Sequence, residues 1–353
     1  MIKKVPTISG LHYLRAIATV LVVVTHNVTA ASLDKYFGPG MLTKFFTSGG
    51  GEVDFFFMMS GFIMVVTATN SATGAPRYTP LEFLFRRAVR LLPMLYLAVA
   101  FFNVALIISG AQPDHWGSLR TLIIWPVGEV TPSVAWTIRY EVVFYAVFAL
   151  CFLVRPQFWW FLLLWAALPL ARYVLTGPSA ETDSLASFIM SPFNIEFGIG
   201  VLLALSIRKW KPHFTFSGQI LSLIVLSLAI RAFVVHFGLE IRTLTMVLSI
   251  SPLLLVTMLV AVGTKTTSES RVGLALGDAS YSIFLFHQPC MPVTLLILAK
   301  TMPWLPSTVA ALISSLVGIA VGYVVHILIE KRIQRYFEPI KTQPKLQPNP
   351  AHP

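Results

Sequence analysis

Arg15 and His26 stand eleven residues apart in the apolar run LHYLRAIATVLVVVTHNVTAA, residues 11–31. At about 100° per residue, eleven steps return to within roughly 20° of the starting face. A guanidinium and an imidazole therefore share one side of one helix, about 16 Å apart along its axis. The run is long enough to cross a bilayer, and ionisable groups in hydrocarbon are costly unless they face a partner or a polar cavity. A fixed cation and a titratable base on one buried face suit a reaction carried out inside the membrane. Glu141, in WTIRYEVVFYAVF just after Trp136, supplies an acid. Its span runs opposite to the first, which puts Glu141 at a depth comparable to His26. A carboxylate there orients the imidazole or balances its cation, as general-base catalysis requires. The same residues also allow an ion pair of Arg139 or Arg15 with Glu141 that only fixes helix packing.

Other groups carry weaker signals. Gly49, Gly50, Gly51, Asp54, Ser60 and Gly61 lie in GGGEVDFFFMMSGF. Glycines here permit close helix approach or a bent backbone that presents N–H groups; no Lys-Ser/Thr pair follows, so this is not a nucleotide loop. Arg86, Arg87 and Arg90, with Pro93 close behind, form the densest basic cluster. It reads equally as a lipid-headgroup anchor and as a phosphate site, because forked guanidinium groups match phosphate geometry. His287, behind Tyr281 in LGDASYSIFLFHQP, reads alone as a packing partner, and Glu196 needs a partner of its own. His326 reads as interfacial. No histidine spacing suggests a metal, and Cys151 and Cys290, both in apolar segments, read as buried fillers.

The elements that must position these groups are transmembrane helices. Hydrophobic residues make up 56% of the chain and charged ones 12%, with a mean hydropathy of +0.76, which excludes a soluble core with a polar coat. The fold class expected is all-α, with about ten spans near 11–31, 51–68, 91–110, 132–154, 157–176, 188–207, 216–236, 243–263, 279–299 and 306–329. TPLEFLFRRAVR, residues 79–90, is expected along the surface before the third span; residues 116–127 are expected as a re-entrant or interfacial segment. Seventeen of the 26 Lys and Arg then fall on the side of the N-terminus and six on the other, which places both termini in the cytoplasm. The net charge of +11 is largely this asymmetry and calls for no nucleic acid. Residues 1–337 read as a single membrane domain, with a first span retained rather than cleaved as a signal, and 338–353 as a disordered cytoplasmic tail.

Taken together, LRAIATVLVVVTHN, GEVDFFFMMSGFIM, FLFRRAVRLLPMLYL, WTIRYEVVFYAVFAL, FNIEFGIGVLL and LGDASYSIFLFHQP resemble, in order, the membrane-bound acyltransferase 3 family, and within it the short branch that acylates bacterial exopolysaccharide. The resemblance implies a ten-span protein of the bacterial inner membrane. Such a protein moves acetyl from cytosolic acetyl-CoA, without a metal, to a hydroxyl of an extracytoplasmic glycan. It implies functional roles for Arg15, His26 and Glu141, CoA phosphates near Arg86, Arg87 and Arg90, and supporting or channel roles for Asp54, Ser60, Gly61, Trp136, Tyr281 and His287. His26 is then the base. The thioester oxyanion is met by Arg15 or by N–H groups around Ser60 and Gly61, unless Arg15 holds the pyrophosphate or pantetheine instead. Met58-Met59 departs from the Val-Ile more usual before Ser60, and the hydrolase-like domain fused to many relatives is not expected. A homo-oligomer or a link to polysaccharide-export machinery fits this picture. Proton-coupled transport or flipping of a polysaccharide precursor is the alternative, although no paired halves are visible; a non-enzymatic scaffold would not require His26.

Overall fold

A computed structural model of the protein describes residues 9–46, 51–70, 75–152, 159–176, 184–207, 254–255, 257–258, 261–262 and 270–341, and these are helices and connecting loops without a strand. In chain order the helices are α1 (Ser9–Ala31), α2 (Thr43–Phe46), α3 (Gly51–Ala68), α4 (Pro80–Ile108), α5 (His115–Leu122), α6 (Trp136–Leu150), α7 (Trp159–Thr176), α8 (Leu185–Ile189), α9 (Phe193–Ser206), α10 (Arg271–Thr301), α11 (Ser307–Val325) and α12 (Lys331–Lys341). A 3-10 turn, Ser133–Ala135, leads into α6, and a π-turn, His326–Glu330, joins α11 to α12.

Among the described residues, six helical stretches are long and apolar enough to cross a membrane: Ser9–Ala31, Pro80–Ile108, Ser133–Leu150, Leu185–Ser206, Arg271–Thr301 and Ser307–Phe337. Two shorter apolar helices, Val53–Ala68 and Trp160–Arg172, pack among them. The expected span 216–236 lies outside the described residues, and of the expected span 243–263 only 254–255, 257–258 and 261–262 are described, all helical.

Residues 79–90 are not a separate surface helix, although Leu81 and Phe85 are exposed. The segment is the first third of α4, one continuous 29-residue helix that contains Pro93. Thr79 caps it by accepting from the Glu82 N–H, and Pro80 occupies a first-turn position where no N–H is needed. The basic residues that look like a solvated face line a cavity bordered by several helix ends. Within residues 116–127, α5 and the loop after it leave Trp116, Ile123 and Trp125 exposed.

Two close crossings set the bundle. Between α3 and α9, a Cβ on Gly61 would stand 2.2 Å from the Phe197 carbonyl oxygen, and one on Gly200 would stand 2.0 Å from that of Met58. Only glycine fits either position. Between α10 and α11, a Cβ on Gly318 would meet the Cβ of His287 at 3.0 Å. Helices α1 and α10 run parallel: His12 Nδ1 lies 2.9 Å from Asp278 near their starts, and His26 meets His287 further along both.

Candidate active site

The start of α1, the end of α3, the start of α4, the early part of α10 and the π-turn all border one cavity of about 590 Å³. The shared lining places these helix ends together at one end of the bundle. Its walls carry Arg15, Arg86, Arg87, Arg90 and Lys331, with Asp278 and Glu330 as acids. A second, narrower cavity of about 90 Å³ is lined mostly by apolar side chains of α3, α6 and α10, together with Ser60, Glu141, Tyr145 and Tyr281. Arg15, Ile63, Arg87 and Arg90 line both. The wide polar space and the narrow one therefore share a wall that carries three guanidinium groups.

The arginines differ in what already holds them. Arg86 is bound by Glu82, one turn before it, at 2.7 and 3.2 Å, and lies over the Tyr78 ring. Arg87 donates to the Thr67 hydroxyl at 2.9 Å and sits between the Phe83 and Tyr145 rings. Among the described residues the side chains of Arg15 and Arg90 have no hydrogen-bond or salt-bridge partner. Like charges gathered in a partly buried wall repel one another, so this wall favours an anion.

Glu141 faces the narrow cavity and accepts from the Ser60 hydroxyl at 3.2 Å and from the Tyr145 hydroxyl one turn on. Tyr281 donates to the Leu91 carbonyl at 2.9 Å, two residues before Pro93. Ser60 and Gly61 lie well inside α3, where backbone N–H groups are used by the helix itself. Gly61 thus serves close packing, and the Ser60 hydroxyl serves Glu141. Asp54 is buried near Glu196, and both carboxylate oxygens of Glu196 are buried without a hydrogen-bond donor. Trp136 packs into a cluster with Phe57, Tyr140 and Phe193. Arg139 donates to the Gly128 carbonyl at 2.7 Å and so ties α6 to the loop before it.

His26, half-buried on α1, has His287 as its partner, with Nδ1 to Nε2 at 2.9 Å, rather than Glu141. The rings lie within 11° of parallel with centroids 5.2 Å apart. That separation is the nitrogen–nitrogen distance lengthened by one ring radius at each end, so the rings meet edge to edge in nearly one plane. The neighbouring Gln288 accepts from the Val134 N–H and donates to the Ser133 hydroxyl, which pins α10 to the turn before α6.

The structure thus brings Arg15, Arg87 and Arg90 together, puts Ser60, Tyr281 and Glu141 on the adjoining narrow cavity, and gathers His26 and His287 as a separate pair. Sequence reasoning passed over Gln288 and Glu330 and took His326 as interfacial, which the structure corrects. His326 is buried, with Nδ1 2.6 Å from Glu330, which also accepts from Ser282 and Gln334. Both residues line the wide cavity. The available signal was a histidine and a glutamate four apart in the last apolar segment. No group of three or more candidate metal ligands occurs among the described residues.

A profile of the acyltransferase domain family matches residues 8–327. The chain is also similar to the exopolysaccharide production protein ExoZ of Rhizobium meliloti, with 30% identity over 305 residues, covering 82% of this chain and 91% of that protein. No solved structure matches.

Proposed function

The chain belongs to the acyltransferase 3 family and is a multi-pass membrane protein, and from that premise we propose that it is an O-acyltransferase. It moves an acyl group, acetyl above others, from cytosolic acyl-CoA to a hydroxyl of an extracytoplasmic glycan such as an exopolysaccharide. The observation that carries this reading is the wall of Arg15, Arg87 and Arg90 common to the wide and narrow cavities. Cationic groups without carboxylate partners suit the phosphates of CoA, and the wide cavity has room for its nucleotide end. The excess of Lys and Arg on the side of the N-terminus supports a cytoplasmic mouth there and membership of the bacterial inner membrane.

Arg15 belongs with the donor in this scheme, one helical face below His26. The narrow cavity, bordered by Val53, Phe56, Met59 and Ile63, accepts a slender chain such as pantetheine rather than a bulky headgroup. Glu141, held by Ser60 and Tyr145, sets the polarity of that passage. At the far end, His26 takes the proton of the acceptor hydroxyl, which is too weak an acid to attack unaided near neutral pH. The hydroxyl oxygen bonds to the thioester carbonyl carbon and the carbon–sulfur bond breaks. The proton on His26 then passes to the departing thiolate, leaving an ester and free CoA.

Transfer of radiolabel from acetyl-CoA in inverted membrane vesicles tests the reading. The wild type is expected to label glycan. His26→Ala is expected to lose at least about 100-fold in rate at unchanged protein level in the membrane. Absence of labelling from acetyl-CoA and from other acyl-CoAs in wild-type vesicles that contain acceptor contradicts acyl transfer and favours transport.

A further inference from the structure

We infer that His287 is a positioning residue that decides which nitrogen of His26 is free to take a proton. Its consequence for catalysis rests on the acyl-transfer reading; the pairing itself does not. The Ile283 carbonyl, one turn back on α10, only accepts, so the His287 nitrogen 3.3 Å from it, Nδ1, carries a proton. A neutral His287 then offers a lone pair at Nε2. That atom lies 2.9 Å from His26 Nδ1, in the plane of both rings. His26 Nδ1 must therefore be the donor, and a neutral His26 keeps its lone pair at Nε2, on the opposite side of the ring. A backbone carbonyl on α10 thereby fixes the basic nitrogen on α1.

The surroundings hold this arrangement. His287 has no exposed surface, so water does not compete for its nitrogens. Gly318 admits α11 against its Cβ, and the two hydrogen bonds of Gln288 fix the next residue. His26 is only half-buried, which leaves its Nε2 side for an acceptor. As His26 turns into an imidazolium, its Nδ1–H stays directed at the His287 lone pair, so the ring need not reorient during transfer. A base held in the wrong tautomer is costly: in serine hydrolases that error lowers kcat about 10⁴-fold.

Nitrogen-15 shifts of histidine-labelled protein in nanodiscs, without an acyl donor, read the tautomer. His26 is expected to show a protonated Nδ1 and a bare Nε2; the reverse pattern overturns the assignment. In kinetics, His287→Leu, which cannot accept, is expected to lower kcat at least about 100-fold with the acetyl-CoA KM held within about twofold. His287→Gln, whose Oε1 can accept from His26, is expected to recover kcat to within about tenfold of wild type. Equal losses in both variants at normal membrane levels overturn the proposal. If His287→Leu fails to accumulate, the His26 shifts in wild type and His287→Gln decide alone. A wild type that transfers no acyl group yet holds His26 as Nδ1–H refutes acyl transfer and leaves the pairing standing.

Discussion

Among single residues, the existing partners of each arginine decide its role. Arg86 is committed to Glu82 and Tyr78, whereas Arg90 stands free beside Arg15 on the wall shared by both cavities. A hydrogen bond to a charged group contributes about 1.5–3 kcal/mol, which is about tenfold to a hundredfold in affinity. Steady-state kinetics of Arg90→Gln are therefore expected to show an acetyl-CoA KM raised about tenfold or more, and those of Arg86→Gln a KM changed less than about threefold. Equal effects would remove the distinction. The sequence made the arginine cluster and the Arg15–His26 face legible because both depend on local spacing. It did not reveal that Arg86 is occupied, since that depends on the cap that starts α4 and places Glu82 one turn ahead. The link from His26 to His287 was hidden for another reason: 261 residues separate them, and only the parallel packing of α1 on α10 brings them together.

The helices place these groups through contacts that leave no room for a side chain. Gly61 on α3 and Gly200 on α9 each abut a carbonyl oxygen of the opposite helix, and the same α3 carries Ser60 to Glu141. Gly61→Val is expected to destabilise the protein by about 1–3 kcal/mol, seen as a lower melting temperature in detergent and less protein in the membrane. A melting temperature equal to wild type would contradict the α3–α9 contact. Close packing, the favoured reading, and a bent backbone were both open from the glycines of this segment, and the continuous helix at Ser60 and Gly61 fits packing. Residues 79–90 misled for a physical reason. A helix with basic residues on one side looks the same whether that side faces lipid headgroups or a polar cavity inside the bundle. The π-turn at His326–Glu330 had no sequence signature, because one extra residue in a turn leaves hydrophobic periodicity almost unchanged.

Across the whole molecule, the cationic cavity lies at the end where α1 begins and His26 lies further along that helix, so the proposed reaction would take its donor at one end of the bundle and its acceptor toward the other. The all-helical membrane class was evident from composition, since no soluble fold tolerates so apolar a surface. Arrangement was not, because apolar helices of similar length are interchangeable until their small residues and polar pairs are matched. The proposed transfer requires acyl groups to enter at one face and leave at the other. The most direct measurement supplies radiolabelled acetyl-CoA, which does not cross the bilayer, outside sealed inverted vesicles, and then treats them with an added esterase before and after opening with detergent. Labelled glycan that resists the esterase until the vesicles are opened is the expected result. Label that is removed from intact vesicles would place donor and product on the same face and contradict transfer across the membrane.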